Sequence, residues 1–228
     1  GVFGTSTFPI LDYRYLVTPS AGQFLSYQTG LSNIDIAKVE VVRGAASALY
    51  GPGVTSGVVH FMSKNPIDYP GTTVEVLAGT LNTLGANIRH AYANESKTLG
   101  FKINAKIAQG DDFEVDPNDT VFIAGQKTSI YQPTLSGGRV DPSAAGTLLL
   151  GPSDLDDNND GNPLATKYQN VSANAHLELR PNDKTSAFLS AGIAKGGGLF
   201  FNSQGAGYAN GTDYWTQARV QSGGFFGQ

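Results

Sequence analysis

The chain has 228 residues, including 29 glycines, no cysteine and a formal net charge of −4 at pH 7. The mildly acidic balance argues against a nucleic-acid partner, and the lack of cysteine excludes disulfides, thiolate metal sites and a cysteine nucleophile. Charged residues make up 15% of the sequence, below the roughly 25% of ordinary globular domains. Together with the glycines, this composition favours a β-rich protein with many turns.

The sequence contains no run of 18 apolar residues and so predicts no transmembrane helix. The chain starts with Gly1 rather than methionine, and we therefore expect a processed or partial product.

The first informative segment, residues 39–64, reads VEVVRGAASALYGPGVTSGVVHFMSK. An alternating apolar run breaks at Arg43, and a second apolar strand is predicted at 58–62. Between them lie small residues and four glycines: Gly44, Gly51, Gly53 and Gly57. Glycines between two β runs let backbones approach closely, which suits a small domain packed inside a larger wall.

This segment resembles the second half of the plug domain of TonB-dependent outer-membrane receptors, which typically reads VEVxRGPxSxLYGxGxxGGVINIxTK. Departures from that pattern, such as Ala45, Ser56 and His60, leave the register unchanged. The resemblance implies that residues 1–66 are the C-terminal part of an α+β plug domain and that 67–71 are a linker. It also implies that Glu40 and Arg43 are candidates for ion pairs between plug and barrel wall.

Segments of period two follow the linker at 73–78, 84–92, 99–108, 171–180 and 185–194, with a weaker one at 214–220. In 171–180, apolar side chains from Val171 to Leu179 alternate with polar ones from Ser172 to Arg180. Alternation over about 9–11 residues is what a tilted strand needs to cross the hydrocarbon layer. The same period is typical of a half-buried strand in a soluble β-sandwich.

The connections between these strands alternate in length. Residues 93–98 and 181–184 are short polar turns, whereas 110–167 and 196–213 are long; only 80–83 is short on that side. Bacterial outer-membrane barrels have short periplasmic turns and longer extracellular loops. We therefore predict a mostly β fold with antiparallel barrel strands. The resemblance implies that 72–228 are the first five or six strands of a barrel of about 22 strands, present as a fragment. The long segments are then extracellular loops, of which 110–167 would shape a ligand site.

The first long loop contains the acidic segment DLDDNNDG over residues 154–161. Its side chains match the first, third and fifth positions of a calcium loop, with Gly161 at the sixth. Lys167 stands where an EF-hand needs a bidentate glutamate. The segment is therefore a looser extracellular Ca²⁺ site or a solvated acidic loop, with these candidate ligands: Asp154, Asp156, Asn158 and Asp160.

The sequence gives little support for a phosphate-binding loop, a nucleophilic catalytic site or a catalytic zinc site. Residues 51–57 lack the GxxxxGK[ST] arrangement of a phosphate loop, and no GxSxG nucleophile elbow occurs. The histidines lie in separate predicted strands at His60, His90 and His176, without the spacing of a catalytic zinc site. We therefore expect a protein that is not an enzyme and requires no cofactor.

The resemblance implies active uptake of a scarce nutrient across the Gram-negative outer membrane. The nutrient would be an iron chelate, cobalamin, a glycan or a peptide. The implied partners are a TonB-type energy-coupling protein acting on a segment outside this chain, outer-membrane lipid, the nutrient itself and, for glycans or peptides, a surface lipoprotein. Two other classes stay open: a receptor-like barrel in a structural or secretion complex, and a soluble calcium-binding β-sandwich adhesin.

Overall fold

The computed structural model describes residues 7–17, 24, 29–44, 50, 54, 56–111, 120–123, 126–129, 167–202 and 205–228. For 120–129, 199–202 and 205–210 only the backbone of the described residues is considered. No helix within these ranges is both long and apolar enough to span a membrane.

The first part of the chain forms a four-stranded sheet, here called the small sheet. Its strands are β1 (Thr7–Leu11), β2 (Arg14–Tyr15), β3 (Ile36–Arg43) and β4 (Gly57–Ser63), with a 3-10 helix at Asn33–Asp35. The order is β2-β1-β4-β3; β1 and β4 are parallel, and the other neighbours are antiparallel. Ile10, Val54 and Val58 are buried in its core.

The rest of the described chain forms a seven-stranded sheet, here called the large sheet, and a separate hairpin. The strands are β5 (Gly71–Ala78), β6 (Leu84–Ala93), β7 (Leu99–Asp111), β8 (Thr120–Ile123), β9 (Gln126–Ser129), β10 (Lys167–Asn182), β11 (Thr185–Asn202), β12 (Gly205–Ser222) and β13 (Phe225–Gly227). The order in the large sheet is β13-β12-β11-β10-β7-β6-β5, and every neighbouring pair is antiparallel. The hairpin consists of β8 and β9 and lies in the connection between β7 and β10.

The two faces of the large sheet differ in chemistry. On β7, Ile103 and Ile107 are exposed, whereas Lys102 and Asn104 on the opposite face are buried. Strand β10 repeats this alternation along its length. Sheets of soluble proteins usually bury the apolar face and expose the polar one. The large sheet has the inverse arrangement, with its polar face buried and its apolar face exposed. The small sheet packs against its polar face.

All six predicted strands of the large sheet are confirmed, and β11 and β12 extend furthest beyond their predicted bounds. The prediction of a long loop at 196–213 is wrong, because β11 continues to Asn202 and β12 begins at Gly205. Glycines in this segment indicated a loop. In the structure they are paired within the ladder, for example Gly196 with Gly211, since glycine is tolerated in a strand where backbone and neighbouring side chains pack closely.

The other boundaries lie close to the predicted ones. The small sheet ends at Ser63 and the large sheet begins at Gly71, on either side of the predicted linker at 67–71. Strand β7 ends at Asp111 and β10 begins at Lys167, so the predicted loop at 110–167 is a long connection that includes the β8–β9 hairpin. The short strand β13 was not predicted.

Candidate functional site

Asp35 is the centre of a buried charge cluster that joins the two sheets. It ends the 3-10 helix that precedes β3. Arg89 on β6 donates from Nε to Oδ1 of Asp35 over 2.8 Å, and Lys102 on β7 donates from Nζ to Oδ2 over 2.7 Å. Asn104 adds a hydrogen bond of 3.1 Å to Oδ2. The side chains of Asp35, Arg89 and Lys102 are only 9%, 3% and 2% exposed.

The same cluster holds the end of β4. Lys102 Nζ also donates to Ser63 Oγ and to the carbonyl oxygen of Lys64, each over 2.8 Å. Ser63 Oγ in turn donates to Asp12 Oδ2 over 2.6 Å. All three ammonium hydrogens therefore have acceptors, which a buried cation requires. Removing one partner of a buried ion pair costs about 3–5 kcal/mol, so the cluster is a strong anchor between the sheets.

A second group of charges holds the segment that leaves the small sheet. Arg180 on β10 donates to both carboxylate oxygens of Asp68, over 3.0 and 2.9 Å. Its Nε donates to Glu178 Oε1 over 3.1 Å, and His176 lies 3.0 Å from the other oxygen of Glu178. Asp68 belongs to the linker, so this group fastens the linker to the large sheet.

The Arg180–Asp68 pair should contribute little to stability. Its side chains are 33% and 49% exposed, and exposed ion pairs are typically worth about 0.2–1 kcal/mol. A double-mutant cycle with Arg180→Ala and Asp68→Ala is expected to give a coupling energy in that range, measured by urea unfolding. A coupling comparable with that of a buried pair would contradict this expectation.

The contacts on β12 have a different chemistry. The guanidinium of Arg14 lies 4.3 Å from the ring centroid of Trp215, and that of Arg219 lies 4.5 Å from the ring of Tyr13. Gln217 Nε2 donates to the carbonyl oxygen of Asp12 over 2.7 Å. Burial lowers the pKa of Arg14 to about 10, against the attraction of Asp12 and Asp213, so Arg14 stays a cation at neutral pH.

The indole of Trp215 is enclosed by glycine backbone. A Cβ atom on Gly30 of the small sheet region, or on Gly192 of β11, would overlap the indole ring. Both positions therefore require glycine for the present packing. Cation–π contacts contribute about 0.5–2 kcal/mol, which makes this part of the interface weaker than the Asp35 cluster.

A polar cavity of about 310 Å³ lies between β4 and strands β10–β12. Its lining includes His60, Asp12 and Tyr13 from the small sheet and His176 and Arg219 from the large sheet. His60 is 1% exposed, and neither ring nitrogen has a hydrogen-bond partner among the described residues. Its ring makes an edge contact with Tyr13 at 4.7 Å.

Burial lowers the pKa of His60, against the attraction of Asp12 and Glu40 and together with the repulsion of Arg219. In the unfolded chain His60 takes up its proton near the ordinary value of 6.5, whereas the folded protein takes it up only at lower pH. Stability from this residue is therefore present above 6.5 and is lost as pH falls towards the lowered pKa.

We expect His60→Phe to flatten the pH dependence of unfolding, because phenylalanine keeps the ring contacts and cannot be protonated. The measurement is the urea midpoint of the small sheet between about pH 7 and pH 5, in wild type and variant. Parallel pH profiles for the two proteins would show that His60 does not carry the acid sensitivity.

The structure places the charged residues predicted from the motif as follows. Glu40 pairs with Lys38 of the same strand, with Oε1 2.5 Å from Nζ. Arg43 at the end of β3 is exposed and has no ion-pair partner among the described residues. The Asp35 cluster, and not Glu40 or Arg43, joins the sheets in the described part of the chain. Contacts of Glu40 and Arg43 with further wall strands stay a prediction.

Two of the four motif glycines are described. Gly44 has φ of +90° and Gly57 has φ of +146°, conformations that side chains other than glycine rarely adopt. Gly51 and Gly53 lie outside the described residues. The predicted calcium ligands Asp154, Asp156, Asn158 and Asp160 lie outside them too. Within the described ranges, no group of three or more His, Asp or Glu side chains is arranged to hold a metal ion.

These features define a class of fold. An antiparallel sheet with an apolar outer face and a polar inner face is typical of a membrane barrel wall. A small mixed sheet anchored by buried charges on the inner face is a plug. The described residues thus form part of a plugged β-barrel.

No protein-family model and no curated protein sequence matches the chain, but solved structures do. The FrpB iron transporter from Neisseria meningitidis matches with a TM-score of 0.57 over 95% of this chain at 14% identity. The copper transporter OprC matches with a TM-score of 0.55 over 96% at 17% identity. A variant of the ferric enterobactin receptor PfeA from Pseudomonas aeruginosa matches with 0.52 over 95% at 17% identity.

These three proteins are TonB-dependent outer-membrane receptors. The chain spans 30%, 26% and 30% of their respective lengths. At these identities the likeness concerns the fold. It confirms the predicted architecture, a mostly β fold in which part of a plug is followed by antiparallel strands of a large barrel.

Proposed function

We propose that the chain is part of a TonB-dependent receptor that takes up a scarce nutrient across the Gram-negative outer membrane. The observation that carries the proposal is the inverted large sheet. Its outward side chains include Val76 at 79% exposed and Tyr214 at 75% exposed. An apolar face spread over so many strands is much larger than the scattered apolar residues of soluble surfaces, and lipid is its natural surrounding.

The alternative of a soluble β-sandwich adhesin fits the structure less well. In a sandwich, two sheets pack their apolar faces together. Here the small sheet packs against the polar face of the large sheet, through Asp35, Arg89 and Lys102. The packing is that of a plug against a lumen wall.

The fold relatives support a chelated or free metal as the nutrient. Their names describe an iron transporter, a copper transporter and a ferric enterobactin receptor. We therefore infer an iron chelate or a metal ion as the first ligand class to test. Cobalamin, glycans and peptides complete the panel of candidate ligands. We infer transport without covalent chemistry, driven by a TonB-type partner; a surface lipoprotein would join only for a glycan or peptide.

The test is uptake by cells that express the native protein. Membranes are fractionated to locate it, and accumulation of ⁵⁵Fe-enterobactin, ⁶⁴Cu²⁺ and cobalamin is compared with a deletion strain, with and without a protonophore. The proposal expects outer-membrane location and energy-dependent uptake of at least one probe. Extraction into buffer without detergent would overturn it. Outer-membrane location without uptake of any panel member, together with stoichiometric co-purifying proteins, would support the structural or secretion role.

The acidic segment 154–161 is proposed as a loose Ca²⁺ site on the extracellular side. We expect Asp156→Ala combined with Asp160→Ala to lower the thermal midpoint of the native protein only when Ca²⁺ is present, because the variant loses two carboxylate ligands. The measurement is a thermal scan in Ca²⁺ and in chelator. An equal decrease in both conditions would show that these carboxylates do not act through calcium.

A further inference from the structure

Three side chains of the large sheet face the cavity of about 310 Å³ with hydrogen-bond donors that are not in use. Arg219 and Gln221 lie two residues apart on β12 and therefore project from the same face of that strand. Ser186 on β11 is directly opposite Gln221 in the ladder. All three line the cavity and are here called the donor cluster.

The guanidinium of Arg219 is held in place by aromatic rings and not by an anion. Its central carbon lies 4.5 Å from the ring centroid of Tyr13 and 4.8 Å from that of Phe226. Cation–π contacts engage the positive charge and leave the N–H donors unused. Among the residues with described side chains, Arg219 has no ion-pair or hydrogen-bond partner. A half-buried guanidinium in this situation is suited to an oxyanion, which it binds through two parallel hydrogen bonds.

The other two members of the donor cluster add neutral donors beside this cation. Gln221 has an amide NH₂ and Ser186 has a hydroxyl, and neither side chain forms a hydrogen bond within the described part of the chain. Residues directly opposite in a ladder have Cβ atoms about 4.5–5.5 Å apart, and residues i and i+2 of one strand are about 7 Å apart. At these separations one small anion can contact all three side chains.

The carboxylates that line the cavity do not neutralise Arg219 directly. Asp12 accepts hydrogen bonds from the backbone and the hydroxyl of Ser63, and both oxygens of Glu178 pair with side chains of its own strand. In the ladder, Phe188 stands between Glu178 and Arg219, so the backbones of these two residues are about 10 Å apart. The β12 side of the cavity therefore presents a cation that has no direct anionic partner in the described part of the chain.

We propose that this cavity is a binding site for a small oxyanion, held by Arg219, Gln221 and Ser186. Inorganic phosphate and sulfate have the oxygen acceptors that these donors require. A water molecule needs about 10–15 Å³ of such cavity volume, so a small anion fits together with several waters. The site is complete in the present arrangement of the two sheets and requires no movement of either. It is separate from the proposed transport function and does not depend on which nutrient is taken up.

Binding can be measured on the native protein without any transport substrate. A ligand that binds only the folded state raises the thermal midpoint as its concentration exceeds the dissociation constant. The native protein in micelles of an uncharged detergent is scanned in Tris chloride with rising potassium phosphate or potassium sulfate. Potassium chloride at equal ionic strength is the reference, because it screens charges without supplying an oxyanion.

We expect phosphate and sulfate to raise the midpoint above that of the chloride series. Arg219→Gln should remove this difference, because the variant lacks the cation. Ser186→Ala combined with Gln221→Ala retains Arg219 and its ring contacts, and thus tests the two neutral donors without removing that packing. For this double variant we expect affinity for phosphate about ten-fold weaker than that of wild type, as for the loss of hydrogen bonds to a charged group.

Lys195→Gln is the matched control, because it also removes one positive charge. Lys195 is exposed on β11, on the face opposite to the cavity, and this variant should respond to phosphate as wild type does.

Equal midpoints in phosphate, sulfate and chloride would overturn the proposal. A wild-type response of Arg219→Gln, or the same loss in Lys195→Gln as in Arg219→Gln, would overturn it too. None of these results bears on the transport function, which is tested by uptake.

Discussion

Replacing Asp35 by asparagine is expected to loosen the small sheet from the large one, at a cost of about 3–5 kcal/mol. The carboxylate is the shared partner of Arg89 and Lys102, both of which are almost fully buried. Asparagine has nearly the same volume, so the loss comes from two uncompensated buried cations and not from a packing defect. The measurement is urea unfolding of the native protein in micelles, followed as the difference in fluorescence against a Trp215→Phe variant.

Trp215 is a suitable reporter because it is the only tryptophan of this chain and lies against Arg14 of the small sheet. Glu95→Gln is the matched control. Glu95 is exposed in the turn between β6 and β7, and we expect no measurable change in the unfolding of the small sheet.

A second variant tests whether unpaired buried charge causes the loss of stability. Asp35→Leu combined with Arg89→Met and Lys102→Met replaces the whole buried charge cluster by apolar groups. Such replacements are often neutral or stabilising when the new side chains pack well, so the triple variant should be more stable than Asp35→Asn alone. A triple variant as unstable as the single one would show that hydrogen-bond geometry, not unpaired charge, explains the loss.

The wall strands could be predicted from sequence because their pattern is local. Each strand of the large sheet has one face towards the small sheet and one face away from it. Apolar and polar residues therefore alternate along the sequences of β7 and β10, and the period can be recognised from consecutive residues. The period does not show that the apolar face points outwards. That orientation follows from the position of the small sheet, which cannot be predicted from the sequence of a single strand.

The ends of β11 and β12 were missed because glycine occurs both in flexible loops and in closely packed strands. Isolated from its partner strand, a run such as 196–198 indicates a flexible loop. In the structure each glycine has a partner across the ladder, for example Gly198 opposite Ala209. Pairing over 18 residues supplies the backbone hydrogen bonds, and local propensity becomes secondary.

The Asp35 cluster was missed because its members are far apart in the sequence, so no local pattern predicts their contact. Asp35 is 54 residues from Arg89 and 67 from Lys102 along the chain. The one usable hint was that both cations fall on the polar faces of adjacent predicted strands. The motif instead drew attention to Glu40 and Arg43 on β3, of which Glu40 is half-buried and Arg43 is exposed.

Gly57→Ala is expected to destabilise the small sheet strongly, by at least about 2 kcal/mol. Gly57 begins β4 opposite Arg43 of β3 with φ of +146°, a conformation that an alanine rarely adopts. An added Cβ would also overlap the carbonyl oxygen of Val42, so the backbone must shift where β3 and β4 pair. The measurement is the urea midpoint of the small sheet together with its susceptibility to trypsin.

Gly44→Ala is the matched control, because it has positive φ without the steric contact. Its φ is +90°, and an added Cβ would meet nothing within 4 Å. We therefore expect backbone strain alone, about 1–2 kcal/mol, and a smaller shift of the urea midpoint than for Gly57→Ala. Both glycines belong to the same motif, so equal shifts would show that conformational strain accounts for the motif glycines. A larger shift for Gly57→Ala would show that close approach of β3 and β4 also requires glycine at that position.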